Sequence, residues 1–286
     1  MNACNSDIDC SQKKTLLFIK NGYPIMECKK CARRFAVIRD PEKHLSQVYS
    51  DEYFFEGNDG YPNYLEEKDI LFQYGLNYAK IVEKYTKPGK VLDVGCAAGF
   101  IMKGFESKGW ESFGVEPNNT IASYGKNELH LNIHTGSFES FDTLNKFDLI
   151  AMIQVIGHFY DIDKALKNIS QLSEHHGLVL VESWNMDSFI ARIFGKNWHE
   201  YSPPSVINWF SEVSLIKLFK EYGFEKIDSG FPAKRITLKH ALSLVEHDVP
   251  NVFFKKRIFD FLGNSFGNLV IYYPPVDVKW YLFRKV

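Results

Sequence analysis

The sequence predicts an α/β fold built on a doubly wound, Rossmann-like and mostly parallel sheet, with a small cysteine-bearing piece at its N-terminus. Three observations predict it. From residue 90 to residue 227, short apolar runs alternate with segments of helical period. One such run, 90–94, leads straight into a glycine-spaced turn and then a helix. Several runs are apolar throughout, as strands buried on both faces must be.

In order along the chain, residues 35–38 read as a brief strand, and 41–60 as a Tyr- and Phe-rich connector holding Pro41, Gly57 and Gly60. Residues 64–85 carry apolar positions at helical spacing (Leu65, Leu71, Tyr74, Tyr78, Ile81, Val82), ending before Pro88-Gly89. The alternation then runs strand 90–94, helix 100–109, strand 111–115, helix 120–129, short strand 131–134, strand 147–153, helix 162–173 and strand 177–181. Helix 211–222 follows, with Gly223 beyond its end, then a strand from 224 and a last strand at 278–283. These divide the chain into a cysteine module over 1–40, an aromatic linker and helical lid over 41–88, and a main domain over 89–286 with an insert at 228–277.

Composition narrows the partners. The chain has 286 residues, 45% of them hydrophobic, enough for a substantial core. Thirty-four Lys and Arg face 35 Asp and Glu, a net charge of -1, which gives no support for broad binding to nucleic acid or an anionic membrane. No window approaches the ~20 apolar residues that span a bilayer. The start, MNACNSDIDCSQKK, lacks the apolar region of a secretion signal, so the protein reads as cytoplasmic. Four of the five cysteines precede residue 32, and in a reducing compartment such a cluster points to a metal before disulfides.

The most informative stretch is LDVGCAAGF, residues 92–100. Ligands of open α/β sheets lie beyond the carboxyl ends of the strands, where the strand order reverses. Gly95 lets a ligand approach the backbone, Gly99 lets the helix pack closely, and Ala97 stands where a third glycine is common. The spacing is not that of a dinucleotide fingerprint, and Asp93 sits inside the strand end. A carboxylate there repels a diphosphate but suits a ligand carrying an ammonium group, as S-adenosylmethionine (SAM) does. In GVEPN, residues 114–118, Glu116 ends the next strand, where an acid can accept both ribose hydroxyls. Taken singly, each of these residues has a bland alternative as a turn or a cap; together, in register, they point to SAM.

These stretches resemble the class I SAM-dependent methyltransferases. With Cys28-x-x-Cys31, Tyr49-x3-Tyr53-Phe54, Phe147-Asp148, the 177–181 strand, Trp198, Pro203-Pro204 and Trp209-Phe210-Ser211, the chain is similar to a bacterial subgroup headed by a cysteine module. The resemblance covers residues 10–285. It implies SAM contacts at Asp93, Gly95, Ala97, Gly99, Glu116 and Pro117, and an adenine site at Ser137 and Phe138. It also implies that the backbone of Gln154 lines the methionine part. Phe138 serves either the purine or the core. Tyr53, with Tyr49, folds over the SAM carboxylate or the acceptor, or else latches the N-terminal module to the core.

On the acceptor side the subgroup usually carries Glu-His after the fourth strand, whereas this chain has Gly157-His158. The second acid-histidine position is likewise lost, since Pro203-Pro204 continues as Ser205-Val206. His158 is the first candidate base for O-methylation and His199 the second; each is otherwise a structural histidine. Cys28-x2-Cys31 has the spacing of a zinc knuckle and Cys4-x5-Cys10 is wider than usual, so a structural Zn2+ on Cys4, Cys10, Cys28 and Cys31 competes with a degenerate module of free thiols. Cys96 reads as a small packed residue.

Three functions follow. The first is a methyltransferase for a small polar acceptor, a hydroxyl of a sugar or nucleotide-linked sugar, since similar cysteine-headed enzymes act on deoxysugars and glycans. The second is a zinc-ribbon RNA-binding or RNA-modifying protein, resting on the basic run Lys29, Lys30, Arg33, Arg34. The third is a non-catalytic, SAM-binding partner subunit. A homodimer through the insert is compatible with each.

Overall fold

The structure is a computed structural model that describes residues 14–38, 64–233, 235–237, 270–272 and 277–286. A seven-stranded sheet forms its centre. Its strands are β4 (Lys90–Val94), β5 (Glu111–Glu116), β6 (Asn132–Thr135), β7 (Phe147–Ile153), β8 (Ser173–Trp184), β10 (Phe224–Gly230) and β13 (Val278–Lys285). The order across the sheet is β6-β5-β4-β7-β8-β13-β10. Every neighbouring pair from β6 to β8 is parallel, and β13 runs antiparallel to both β8 and β10. The order reverses at β4, so the crevice between β4 and β7 is where this architecture binds ligands.

Successive residues of each strand enter opposite layers. Leu92, Val94, Ile150, Met152, Val179 and Val181 face one cluster, which is covered by α4 (Ile162–Leu172) and α6 (Glu212–Glu221). Val91, Leu149, Ala151, Leu178 and Leu180 face the other, under α1 (Lys68–Val82) and α2 (Phe100–Glu106). Three of the helices around this sheet start on side-chain caps: Asn118 accepts from Ile121 N before α3 (Asn119–Asn127), Asp161 from Lys164 N before α4, and Ser211 and Ser214 form a capping box before α6.

The expected strands and helices of the main domain are all present. Three helices stop at least two residues earlier than their sequence pattern: α1 at Val82, before 83–85, α2 at Glu106, before 107–109, and α3 at Asn127, before 128–129. A helix of six residues, α5 (Phe189–Phe194), follows β8 in a stretch to which the sequence assigns no element; Ser188 caps it by accepting from Ala191 N.

The N-terminal segment is a four-stranded sheet in the order β1 (Lys14–Lys20), β2 (Tyr23–Cys28), β3 (Arg34–Ala36), β9 (Asn208–Trp209). The first two strands form a hairpin across Asn21-Gly22, both with positive φ (50° and 82°), the pair a two-residue hairpin turn demands. The fourth strand belongs to the main domain. Around this joint Trp198, Tyr201, Trp209 and Ile25 are buried together. Arg33 donates to Asn208 Oδ1 (2.9 Å), and Arg34 contacts Glu27 (2.9 Å) and Tyr201 Oη (2.6 Å). Arg33 and Arg34 of the basic run are therefore engaged in internal bonding. Of the 228–277 insert, the described parts include a two-stranded ribbon of β11 (Arg235–Thr237) and β12 (Val270–Tyr272).

Helices α1 and α2 touch backbone to backbone. A Cβ added at Gly104 would meet Gly75 Cα at 2.6 Å and Phe72 O at 2.6 Å, with no flexible side chain to yield. Gly104→Val is expected to lower stability by ~1–3 kcal/mol or more in chemical denaturation. A change within experimental error would mean that the helices are not packed in this way.

Candidate active site

The site begins with the backbone after β4. Gly95, Ala97 and Gly99 all have positive φ (70°, 48° and 85°), so the loop coils tightly before α2. A Cβ at Gly95 would lie 2.6 Å from Val155 Cγ2, which brings the loop after β7 directly over it. Ala97 adopts this left-handed conformation without being glycine, at a cost of about 1–2 kcal/mol. What holds it is Glu116. Its Oε2 accepts from Ala97 N (2.9 Å) and its Oε1 from Asn118 N (2.9 Å). One carboxylate thus ties the β4 loop to the β5 loop. Each oxygen keeps a further lone pair, the pattern a vicinal diol needs.

Asp93 and Glu116 are 2% and 3% exposed. Burial, and secondarily the charge of Glu116, pushes the Asp93 carboxyl up to about 8. Burial raises Glu116 to about 7, against the two backbone N–H bonds that favour its ionised form. Asp93 Oδ2 has no hydrogen-bond partner among the described residues. A buried, partnerless carboxylate oxygen is expensive unless a ligand supplies a donor or a positive charge. Cys96 is also buried, its thiol raised first by burial and then by the two acids, and its Sγ packs over Gly114. It is the small packed residue the sequence predicts.

The two residues expected at an adenine site divide. Ser137 Oγ donates to Glu139 Oε2 (2.9 Å). The Phe138 ring is 3% exposed and packs with Phe141 and Phe159, so of its two readings it takes the core one. Asn168 Nδ2 donates to Phe138 O (2.9 Å), which fixes this loop on α4.

After β7, Gln154 turns with φ of 60°, its N–H bonded to Glu182 O (2.9 Å). The loop is then latched to residues 205–208: Gly157 O accepts from both Ile207 N and Asn208 N, and Asn208 Nδ2 donates to Phe159 O (2.7 Å). His158 Nδ1 lies 2.9 Å from Ser205 O. A carbonyl only accepts, so Nδ1 carries the hydrogen and the acceptor lone pair of the neutral ring is at Nε2. That is the tautomer of a general base.

His199 stands on other elements, with its ring edge-on to Trp184 and Trp198 (centroids 4.9 and 6.0 Å). Its Nε2 is 3.7 Å from Glu200 Oε1 and 3.9 Å from Asp277 Oδ2. Two acids thus lie near His199, one from the following residue and one from far along the chain. Sequence reasoning also missed Tyr78 and Glu182: the Tyr78 hydroxyl donates to the fully buried Glu182 carboxylate, joining α1 to the ligand end of β8. Only tertiary structure brings these two together, so no local signal could have found them.

Cys28 and Cys31 are buried in one tight turn, closed by Ala32 N to Cys28 O (2.8 Å), with Ala32 at φ 60°. Cys4, Cys10, Tyr49 and Tyr53 lie outside the described residues. Among the described residues no three His, Cys, Asp or Glu side chains gather as a metal site.

A family model described as a methyltransferase domain matches residues 72–229, more than half of the chain. The chain belongs to this methyltransferase-domain family. The ubiquinone biosynthesis O-methyltransferase of Bradyrhizobium diazoefficiens is 26% identical over 116 residues, 38% of this chain and 46% of that protein. The protein of that name from Pelagibacter ubique is 25% identical over 170 residues, 52% of this chain and 71% of its own. The chain spans about half the length of the first of these curated relatives. Among solved structures, the 1,6-didemethyltoxoflavin-N1-methyltransferase of Burkholderia thailandensis superposes with a TM-score of 0.54 at 14% identity, over 96% of this chain and 99% of its own. The magnesium protoporphyrin IX methyltransferase of Synechocystis gives 0.51 at 11%, over 86% and 94%. At these identities the likeness concerns the fold, which is that of the class I methyltransferases.

The raised carboxyls make a prediction about the ligand-free domain. Asp93 and Glu116 keep protons in the folded chain up to about 8 and about 7, while the unfolded chain loses them near 3.8 and 4.5. The folded state therefore binds more protons in this window, and its stability falls as pH rises through it. Melting curves across that range should show the decline, and Asp93→Asn should flatten it. Parallel curves for the two proteins would contradict the burial of an unpaired acid.

Proposed function

We propose that this chain is a SAM-dependent methyltransferase that methylates a hydroxyl of a small polar acceptor, with His158 as the base. The observation that carries the reading is the His158 ring, held by Ser205 O through Nδ1 at the ligand end of the sheet. Asp93 would meet the ammonium of the methionine part, Glu116 the ribose hydroxyls, and the backbone from Gly95 to Gly99 would line the cofactor between them. Pro117 and Ser137 flank the nucleoside end, and the Gln154 backbone the methionine end. Bound SAM supplies an activated methyl group. What remains for the protein is to align the acceptor and take its proton, and Nε2 of His158 is the group to receive it.

Oxygen as the accepting atom is favoured by the O-methyltransferase names of the relatives. A sugar as its carrier rests on the resemblance to cysteine-headed enzymes. His158→Ala should cut turnover ~10²–10⁴-fold with SAM affinity unchanged, measured on an acceptor found by screening nucleotide sugars and phenols. A loss under threefold would remove His158 from the chemistry.

The Cys28–Cys31 turn would provide half of a tetrahedral thiolate zinc site, with Cys4 and Cys10 as the other half. Both described thiols are buried in a knuckle-like turn, which is what such a site needs and what reactive surface thiols lack. Elemental analysis of the purified protein should then find one zinc per chain, lost in Cys28→Ser. Protein without zinc that melts like Cys28→Ser would end this assignment.

A further inference from the structure

Arg33 and Asn208 are buried polar residues, 3% and 6% exposed, that meet beside the loop carrying His158. Burying a guanidinium is costly, and this one gains little stability in return. Its Nη1 donates to Asn208 Oδ1 (2.9 Å), and its Cζ lies 5.2 Å from the centre of the Phe35 ring. Its Nε has no hydrogen-bond partner among the described residues. What the guanidinium does do is orient an amide. Arginine has donors and no acceptor, so Asn208 must turn Oδ1 toward it and Nδ2 away. Nδ2 then donates to Phe159 O (2.7 Å). The backbone N of Asn208 donates to Gly157 O (2.9 Å). One residue thus holds the carbonyls on both sides of His158. A flipped amide would lose both side-chain bonds, with donor facing donor at Arg33 and acceptor facing acceptor at Phe159. Arg33 is itself fixed: its carbonyl accepts from Cys28 N (2.9 Å), and the next residue, Arg34, pairs with Trp209 in the β3–β9 ladder.

We propose that Asn208 and Arg33 are positioning residues for the methyl transfer: Asn208 brackets His158, and Arg33 dictates which way the bracket faces. The inference rests on the reading of His158 as the base. A base works when its lone pair faces the proton it removes, and a small shift of the loop would spoil that alignment. The bracket fixes the backbone under the ring while Ser205 O fixes Nδ1, and both holds come from the stretch 205–208. A charge-assisted bond from a buried guanidinium is stronger than one between neutral groups, which gives the costly Arg33 a use that an apolar side chain could not fill.

The test is nitrogen NMR of the full chain made with isotope-labelled histidine, at a pH where the ring is neutral. The His158 signals are identified by their loss in His158→Ala. The unaltered protein should show one neutral form of this ring, with the hydrogen on Nδ1. Asn208→Asp still accepts from Arg33 but cannot donate to Phe159 O, and Arg33→Met removes the donor altogether. Both variants should show a mixture of the two neutral forms. On the acceptor found by screening, both should lower kcat by up to ~10²-fold while KM for SAM stays unchanged. Arg33→Lys keeps a donor and should restore the single form and most of the turnover. Unchanged SAM titrations would show that the variants fold. A His158 ring that keeps one form in Asn208→Asp, even in a protein that melts earlier, would reduce the pair to ordinary structural contacts and overturn the proposal. So would Arg33→Lys and Arg33→Met behaving alike. Turnover retained in His158→Ala would end the base reading and with it the catalytic role given to the pair. The ring measurement needs no acceptor, so the two failures are told apart.

Discussion

The structure depends on two carboxyl groups buried at the ends of adjacent parallel strands. Glu116 closes the loop after β4 by accepting from Ala97 N and Asn118 N, and that bond holds Ala97 in a conformation it would otherwise avoid. Asp93 adds a second acid in the same low-dielectric pocket, with one oxygen unsatisfied. Neither group is placed for stability, since burial costs both of them. Together they form a strained, acidic pocket with an unsatisfied oxygen, which is what supports our proposal that it receives the diol and cation of SAM. The cost is stored at the carboxyl ends of β4 and β5, which is where the proposed SAM site lies.

The second constraint is the brace between the N-terminal sheet and the loop after β7. β3 pairs with β9, residues 205–208 bond to Gly157 and His158, and the His158 ring is oriented by Ser205. A cysteine turn at one end of this brace and a candidate base at the other are thus parts of one rigid assembly. This gives the N-terminal segment a physical reason to accompany the main domain: it braces the loop that carries His158. Gly157, where the related subgroup has an acid, sits under Asn208 O and Val206, each 3.2 Å from where a Cβ would be. A larger side chain would press on the latch itself.

Much of this was legible in the sequence. The central runs of β4, β7 and β8 are apolar because both faces are covered, so they stand out even in a chain of mixed composition. The pairing of Asp93 with Glu116 was legible because strand ends and glycine spacing fix where such acids fall. The Asn21-Gly22 hairpin had a signal, two residues needing positive φ between alternating apolar runs, but it lies in a segment that reads as polar and cysteine-rich. Helix α5 was hidden for a different reason: six residues with apolar groups on several sides have no clear period, and only the Ser188 cap marks the start. Glu182 with Tyr78, and Asp277 with His199, join residues about eighty or more apart, which no local pattern encodes.

The measurement that tests the central claim most directly is calorimetric titration of the protein with SAM near neutral pH, repeated in buffers of different ionisation enthalpy. An Asp93 carboxyl held up to about 8 is mostly protonated before binding, and a cationic ligand beside it favours the ionised form. The account predicts that binding releases a proton, and that Asp93→Asn binds more weakly and releases less. Tight binding with no proton exchange, or an unchanged Asp93→Asn variant, would contradict it.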